Sequence, residues 1–116
     1  MSASAYISHR VERDVLVARF EVEKVGEREA RIIEAEVAEL ASRNSWRVVA
    51  DLGSVMLLAS AGLGLLVTLS KRCAQGAGKL VVCGVSEDIM GVMKVTNLHR
   101  LLTLAPDVGA ALKAVR

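Results

Sequence analysis

A chain of 116 residues suffices for one domain with a real core and is too short for two. Hydrophobic residues make up 53% of it but aromatics only 3%, so the core must be filled by Val, Leu, Ile and Ala, which suits layers of sheet and helix. A net charge of +2 with 24% charged residues is too balanced to imply nucleic-acid binding, and it points to proteins as partners.

In chain order, Tyr6 to Val11 and Val15 to Val22 are β-rich segments separated by polar Glu12-Arg13-Asp14, which predicts an opening hairpin. Ala30, Ile33, Val37 and Leu40 or Ala41 recur at helical spacing within Glu27 to Arg43. Glu27/Arg31 and Glu39/Arg43 lie one turn apart on its outer face, so this segment is one amphipathic helix. Trp46 to Asp51 then changes to a central-strand pattern that Gly53 ends.

The next helix is expected from Ser60 to Ala74, with Leu63, Leu66, Val67, Ser70 and Cys73 on its buried stripe. Lys71 and Arg72 fall at its C-terminal end, where the helix dipole favours cations. Gln75-Gly76-Ala77-Gly78 is a turn, Lys79 to Cys83 a strand, and Ser86 the cap of a helix running to about Val95. Leu101 to Leu104 is a short strand, and a final helix begins around Pro106, whose fixed φ and missing donor fit a first turn. The order β-β-α-β-α-β-α-β-α predicts an α/β fold: one domain over residues 1–116, a mixed sheet, and helices packed mainly on one side.

The apolar run Val55 to Leu69 is broken by serine, threonine and glycine and is shorter than the ~18 residues that suggest a membrane span. Burial in the core explains it, and no membrane insertion is expected. No apolar stretch follows a basic start, so the expected compartment is the cytoplasm. Cys73 and Cys83 are expected to be buried, reduced thiols. His9 and His99 have no neighbouring ligand spacing, so neither a metal nor a cofactor is implied. Lys94, His99 and Arg100 form a solvated charged edge.

Ser60 supports three readings: a helix cap, a phosphorylation site, or both. A serine at a helix start can satisfy free N–H groups, worth ~1 kcal/mol, and a phosphate there would sit at the positive end of the dipole. Gly62-Leu63-Gly64 completes neither a Gly-x-Gly-x-x-Gly fingerprint nor a P-loop. Asp51 has no paired acid or placed histidine that would make it catalytic, so it is expected to organise the loop after its strand. Of the two glycines, Gly64 is the one expected to serve close helix packing.

Asp51-Leu52-Gly53-Ser54-Val55 followed by Ala59-Ser60-Ala61-Gly62-Leu63-Gly64 resembles the STAS domain family of bacterial anti-sigma-factor antagonists. Gly78 to Gly84 and Val92 to Leu104 extend the resemblance over nearly the whole chain. The chain departs from the family pattern at Ala59, where an acidic residue is usual, and in lacking an early glycine near Phe20-Glu21. The resemblance implies a non-enzymatic domain that binds an anti-sigma factor protein kinase and carries a phosphorylation site at Ser60. Ala59, Ser60, Ala61, Gly62 and Gly64 would form the partner-binding surface, and a serine phosphatase would reverse the modification. Ala59 keeps a second role open, that of an unphosphorylated scaffold subunit in a signalling or membrane-transport ATPase assembly.

Overall fold

A computed structural model describes residues 6–116. The hairpin strands are β1 (Ile7–Glu12) and β2 (Val15–Phe20), paired antiparallel through a turn in which Arg13 and Asp14 both take positive φ. A two-residue strand β3 (Lys24–Val25) leads into α1 (Glu27–Ser42), then β4 (Arg47–Asp51), a second two-residue strand β5 (Leu57–Leu58), and α2 (Ser60–Gln75). The chain continues through β6 (Lys79–Cys83), α3 (Glu87–Val95), α4 (Leu98–Leu101), β7 (Thr103–Ala105) and α5 (Val108–Ala114). The main sheet has the order β1-β2-β4-β6-β7, with every pair after the hairpin parallel, while β3 and β5 pair separately.

Alternate strand residues face opposite ways, and here both faces are apolar. Leu16, Ala18, Phe20, Val48, Ala50, Leu80 and Val82 pack under Ala30, Ile33 and Val37 of α1, Leu65, Leu66 and Leu69 of α2, and Ile89 and Met93 of α3. Val15, Val17, Val49, Val81 and Cys83 pack under Ala111 and Val115 at the α5 side. The helices therefore lie mainly on one side, as expected, with α5 alone closing part of the other.

Several boundaries differ from the sequence expectation. The paired strands β3 and β5 were not foreseen, because their signal is backbone pairing between distant segments and each is only two residues long. Residues 98–101 are a helical turn, and the last strand starts at Thr103. The final helix starts at Val108, because Asp107 is its cap: its carboxylate accepts the Ala110 N–H at 2.9 Å, which leaves Pro106 outside. Ser86 caps α3 as expected, accepting from the Ile89 N–H at 3.2 Å, and Glu39 pairs with Arg43 at 2.8 Å.

The buried stripe of α2 is Gly62, Leu65, Leu66, Leu69 and Cys73, so Leu63, Val67 and Ser70 are only half-buried. A helix this apolar all round carries little periodic signal to choose its inner face.

Candidate functional site: the entrance of helix α2

The connection from β4 to α2 is fastened at both ends. Asp51, the last residue of β4, accepts the Gly53 N–H on Oδ1 at 2.9 Å and pairs through Oδ2 with Arg19 Nη1 at 3.3 Å. Arg19 Nη2 also donates to the Ser54 hydroxyl at 2.7 Å. Asp51 thus organises the following loop, the role read from sequence. Gly84 passes beside this turn with φ +72, and a Cβ there would lie 3.0 Å from Asp51 Oδ1. Further along, the Met56 and Leu57 N–H groups both donate to the Glu23 carbonyl at 2.8 and 3.0 Å, and the Ala59 N–H donates to the Val25 carbonyl at 3.0 Å.

That last bond decides where α2 begins. Ala59 is extended (φ −74, ψ 174) and its carbonyl accepts the Leu63 N–H at 3.1 Å, which makes Ala59 the cap residue and Ser60 the first helical residue. Of the three readings open for Ser60, those that make it the helix cap are therefore corrected. A capping oxygen has to come from the extended residue before the helix, and that residue is an alanine. The Ser60 hydroxyl makes no hydrogen bond among the described residues and is exposed to solvent. No acidic residue occupies the first turn, whose leading N–H groups lack intrahelical acceptors.

The five positions expected at the partner surface do not share one environment. Ser60 and Gly64 are exposed, Ala59 and Ala61 half-buried, and Gly62 buried. A Cβ at Gly62 would meet Leu58 Cδ2 at 2.9 Å and the Val25 carbonyl oxygen at 3.0 Å, whereas one at Gly64 would meet nothing within 4 Å. Close packing belongs to Gly62 and not to Gly64, the reverse of the expectation, because the stripe facing β3 and β5 starts at Gly62.

Sequence reasoning also missed a neighbouring apolar surface. Burial in the core is the expectation for the run Val55 to Leu69, yet Met56 is 69% and Leu57 52% exposed. Between β5 and α3 they line, with Leu58, Asp88, Ile89 and Val92, a small cavity of about 50 Å³. No periodicity in the residues marks this exposure: Leu57 and Leu58 face opposite ways in a two-residue strand that exists only through its pairing with β3. Among the described residues no group of His, Cys, Asp and Glu could hold a metal ion, and no helix is long and apolar enough to cross a membrane.

Comparison with known proteins agrees with this geometry. The STAS domain family model matches residues 5–111, and the chain belongs to that family. Relatives named as anti-sigma factor antagonists are among those it resembles. It is 30% identical over 87 residues, 75% of each chain, to BtrV of Bordetella bronchiseptica, which is named for an anti-sigma factor antagonist role. The crystal structure of a Thermotoga maritima protein named for the same role superposes with a TM-score of 0.84 at 19% identity, covering 97% of this chain and 96% of that one. The Bacillus protein SpoIIAA is also similar. Its unphosphorylated form, that of an anti-sigma factor antagonist, gives a TM-score of 0.76 at 15% identity over 93% and 95% of the two chains. Its phosphorylated form gives 0.70 at 18% over 95% and 99%.

Proposed function

We propose that this domain is a non-enzymatic regulator that binds an anti-sigma factor kinase through the entrance of α2, and that phosphorylation of Ser60 releases the kinase. The observation that carries the reading is the Ser60 hydroxyl, exposed and without a hydrogen-bond partner at the first residue of α2. It stands three residues beyond the exposed apolar pair Met56-Leu57. A hydroxyl that caps nothing is free to enter a kinase active site, and the small residues Ala59 and Ala61 beside it let a partner approach the backbone.

The charge change explains the switch. Phosphate adds roughly −1.5 to −2 charges at neutral pH. In the free domain it would be held in water near the positive end of α2. In a complex it would have to enter a partly apolar interface, where an unmatched charge is costly. Binding and phosphorylation therefore oppose each other, and a serine phosphatase would restore the binding form.

The test is incubation with the anti-sigma kinase encoded by the same genome and Mg-ATP, followed by phosphopeptide mapping. The reading expects label on Ser60 and none on the Ser60→Ala variant. Label confined to other residues, or none, leaves a domain that binds without this switch, which is the scaffold role.

A further inference from the structure

The near-neutral net charge conceals a cluster of cations at one end of the strands. At the end of the sheet opposite Ser60, Arg47 opens β4 and Lys79 opens β6, and the two are register partners across the parallel ladder. Both are exposed. They stand on the α5 side, since Val49 and Val81, two residues further along, lie under Ala111 and Val115. The last turn of α5 adds Lys113, with Arg116 just beyond it, and the last turn of α2 adds Arg72 over Trp46, with Lys71 preceding it. Backbone bonds hold the strand starts together: the Trp46 N–H donates to Ala41 at the end of α1 (3.0 Å), and the Lys79 N–H to the Trp46 carbonyl (2.9 Å). Lys113 shares the α5 face with Arg47 and Lys79, while Lys71 and Arg72 flank the same sheet end from the α2 face.

Helix dipoles account for cations in the last turns of α2 and α5. They do not account for Arg47 and Lys79, because sheets have little net dipole and like charges facing each other across a ladder are destabilising. Among the described residues no ion pair includes Arg47, Lys71, Lys79, Lys113 or Arg116. Carboxylates do occur at this end, Glu12 beside the hairpin turn and Glu39 near the end of α1, but they pair with Arg10 and Arg43 and leave the Arg47–Lys79 repulsion unrelieved.

We infer that this basic end is a second docking surface, fitted to an acidic segment of a partner protein. The complementary chemistry is a run of Asp and Glu side chains, which can pair with guanidinium and ammonium groups at separate positions. A nucleic-acid duplex fits less well. The one tryptophan at this end has Arg72 over its ring, 5.5 Å from the guanidinium carbon, and lies against Gly76, which leaves little of it for a base to stack on. The far end presents Glu27, Glu87 and Asp88 in the first turns of α1 and α3, which would repel a long polyanion. Because the basic end and Ser60 lie at opposite ends of the strands, an acidic partner and a partner at α2 can be held together.

The experiment titrates a fluorescein-labelled oligoglutamate peptide against the intact chain by anisotropy at low and physiological salt. The double variant Arg47→Gln/Lys79→Gln should weaken binding by about tenfold, and salt should weaken wild-type binding. Lys24→Gln/Arg28→Gln, at the other end, should leave it unchanged. In a second arm, Lys79→Gln alone should keep or raise the melting temperature, since it relieves the Arg47 repulsion. Peptide binding untouched by the double variant, tighter binding of a DNA duplex of equal charge, salt-sensitive self-association abolished by the double variant, or a lowered melting temperature for Lys79→Gln would each overturn the inference.

Discussion

The start of α2 rests directly on Val25: its carbonyl oxygen accepts the Ala59 N–H at 3.0 Å and lies 3.0 Å from where a Gly62 side chain would begin. One backbone carbonyl thus sets both the first residue of the helix and the distance between helix and sheet. Gly62→Ala should force α2 away from β3 and β5 and destabilise the fold by ~1–3 kcal/mol. Gly64→Ala, facing open space, should stabilise it by ~0.5–1 kcal/mol through helix propensity. Urea denaturation of the two variants checks the contrast in sign.

The core beneath that helix is closed. Leu66 is 0% exposed, packed among Leu65, Leu69 and the inner strand residues. Leu66→Ala should cost ~2–5 kcal/mol, read as a lowered denaturation midpoint with an unchanged slope.

The Asp51 carboxylate serves the turn after β4 through the Gly53 N–H and Arg19. Asp51→Ala leaves that N–H without its acceptor and should cost ~1–2 kcal/mol. Asp51→Asn keeps an acceptor oxygen and loses only the ion pair to a half-exposed guanidinium, so its loss should be the smaller. Hydrogen exchange at Gly53 should speed up in the alanine variant and much less in the asparagine one.

Much of this architecture was legible in the residues. Val48 to Ala50 and Leu80 to Cys83 are short continuous apolar runs ended by turn residues, as in strands buried on both faces, the α1 stripe carries a period-3.6 pattern, and Ser86 marks a helix start by its own chemistry. The order of elements then limits the sheet to a few topologies. What stayed hidden depends on distant partners. The cap at Ala59 follows from a bond to Val25, and the exposure of Leu57 from the pairing of Leu57 and Leu58 with Lys24 and Val25. The basic end was invisible for another reason: a net charge sums over the chain and cannot report that Arg47 and Lys79 become neighbours.

Cys73 and Cys83 are buried and free. Burial pushes both thiols up from 9.0 to about 11, with Arg72 opposing the rise at Cys73 and with Asp51 and Asp107 adding to it at Cys83. The folded state then keeps thiol protons that the unfolded chain releases. The associated stability is fully present below the unfolded value near 9 and is lost as pH rises toward 11. Stability of the Cys73→Ser/Cys83→Ala variant, whatever its offset, should fall less steeply between those pH values than that of the wild type. Neither native thiol should react with a water-soluble disulfide reagent at pH 8.

The central claim is that Ser60 switches a protein interface by charge. Its most direct test is calorimetric titration of the partner kinase with the unmodified domain, the stoichiometrically Ser60-phosphorylated domain, and Ser60→Ala, each shown to be folded. The account predicts tight binding by the unmodified domain and by Ser60→Ala, and a loss of at least about a hundredfold for the phosphorylated one, since expelling roughly two unmatched charges from a contact is worth several kcal/mol. Equal affinities for the phosphorylated and unmodified domains would contradict it.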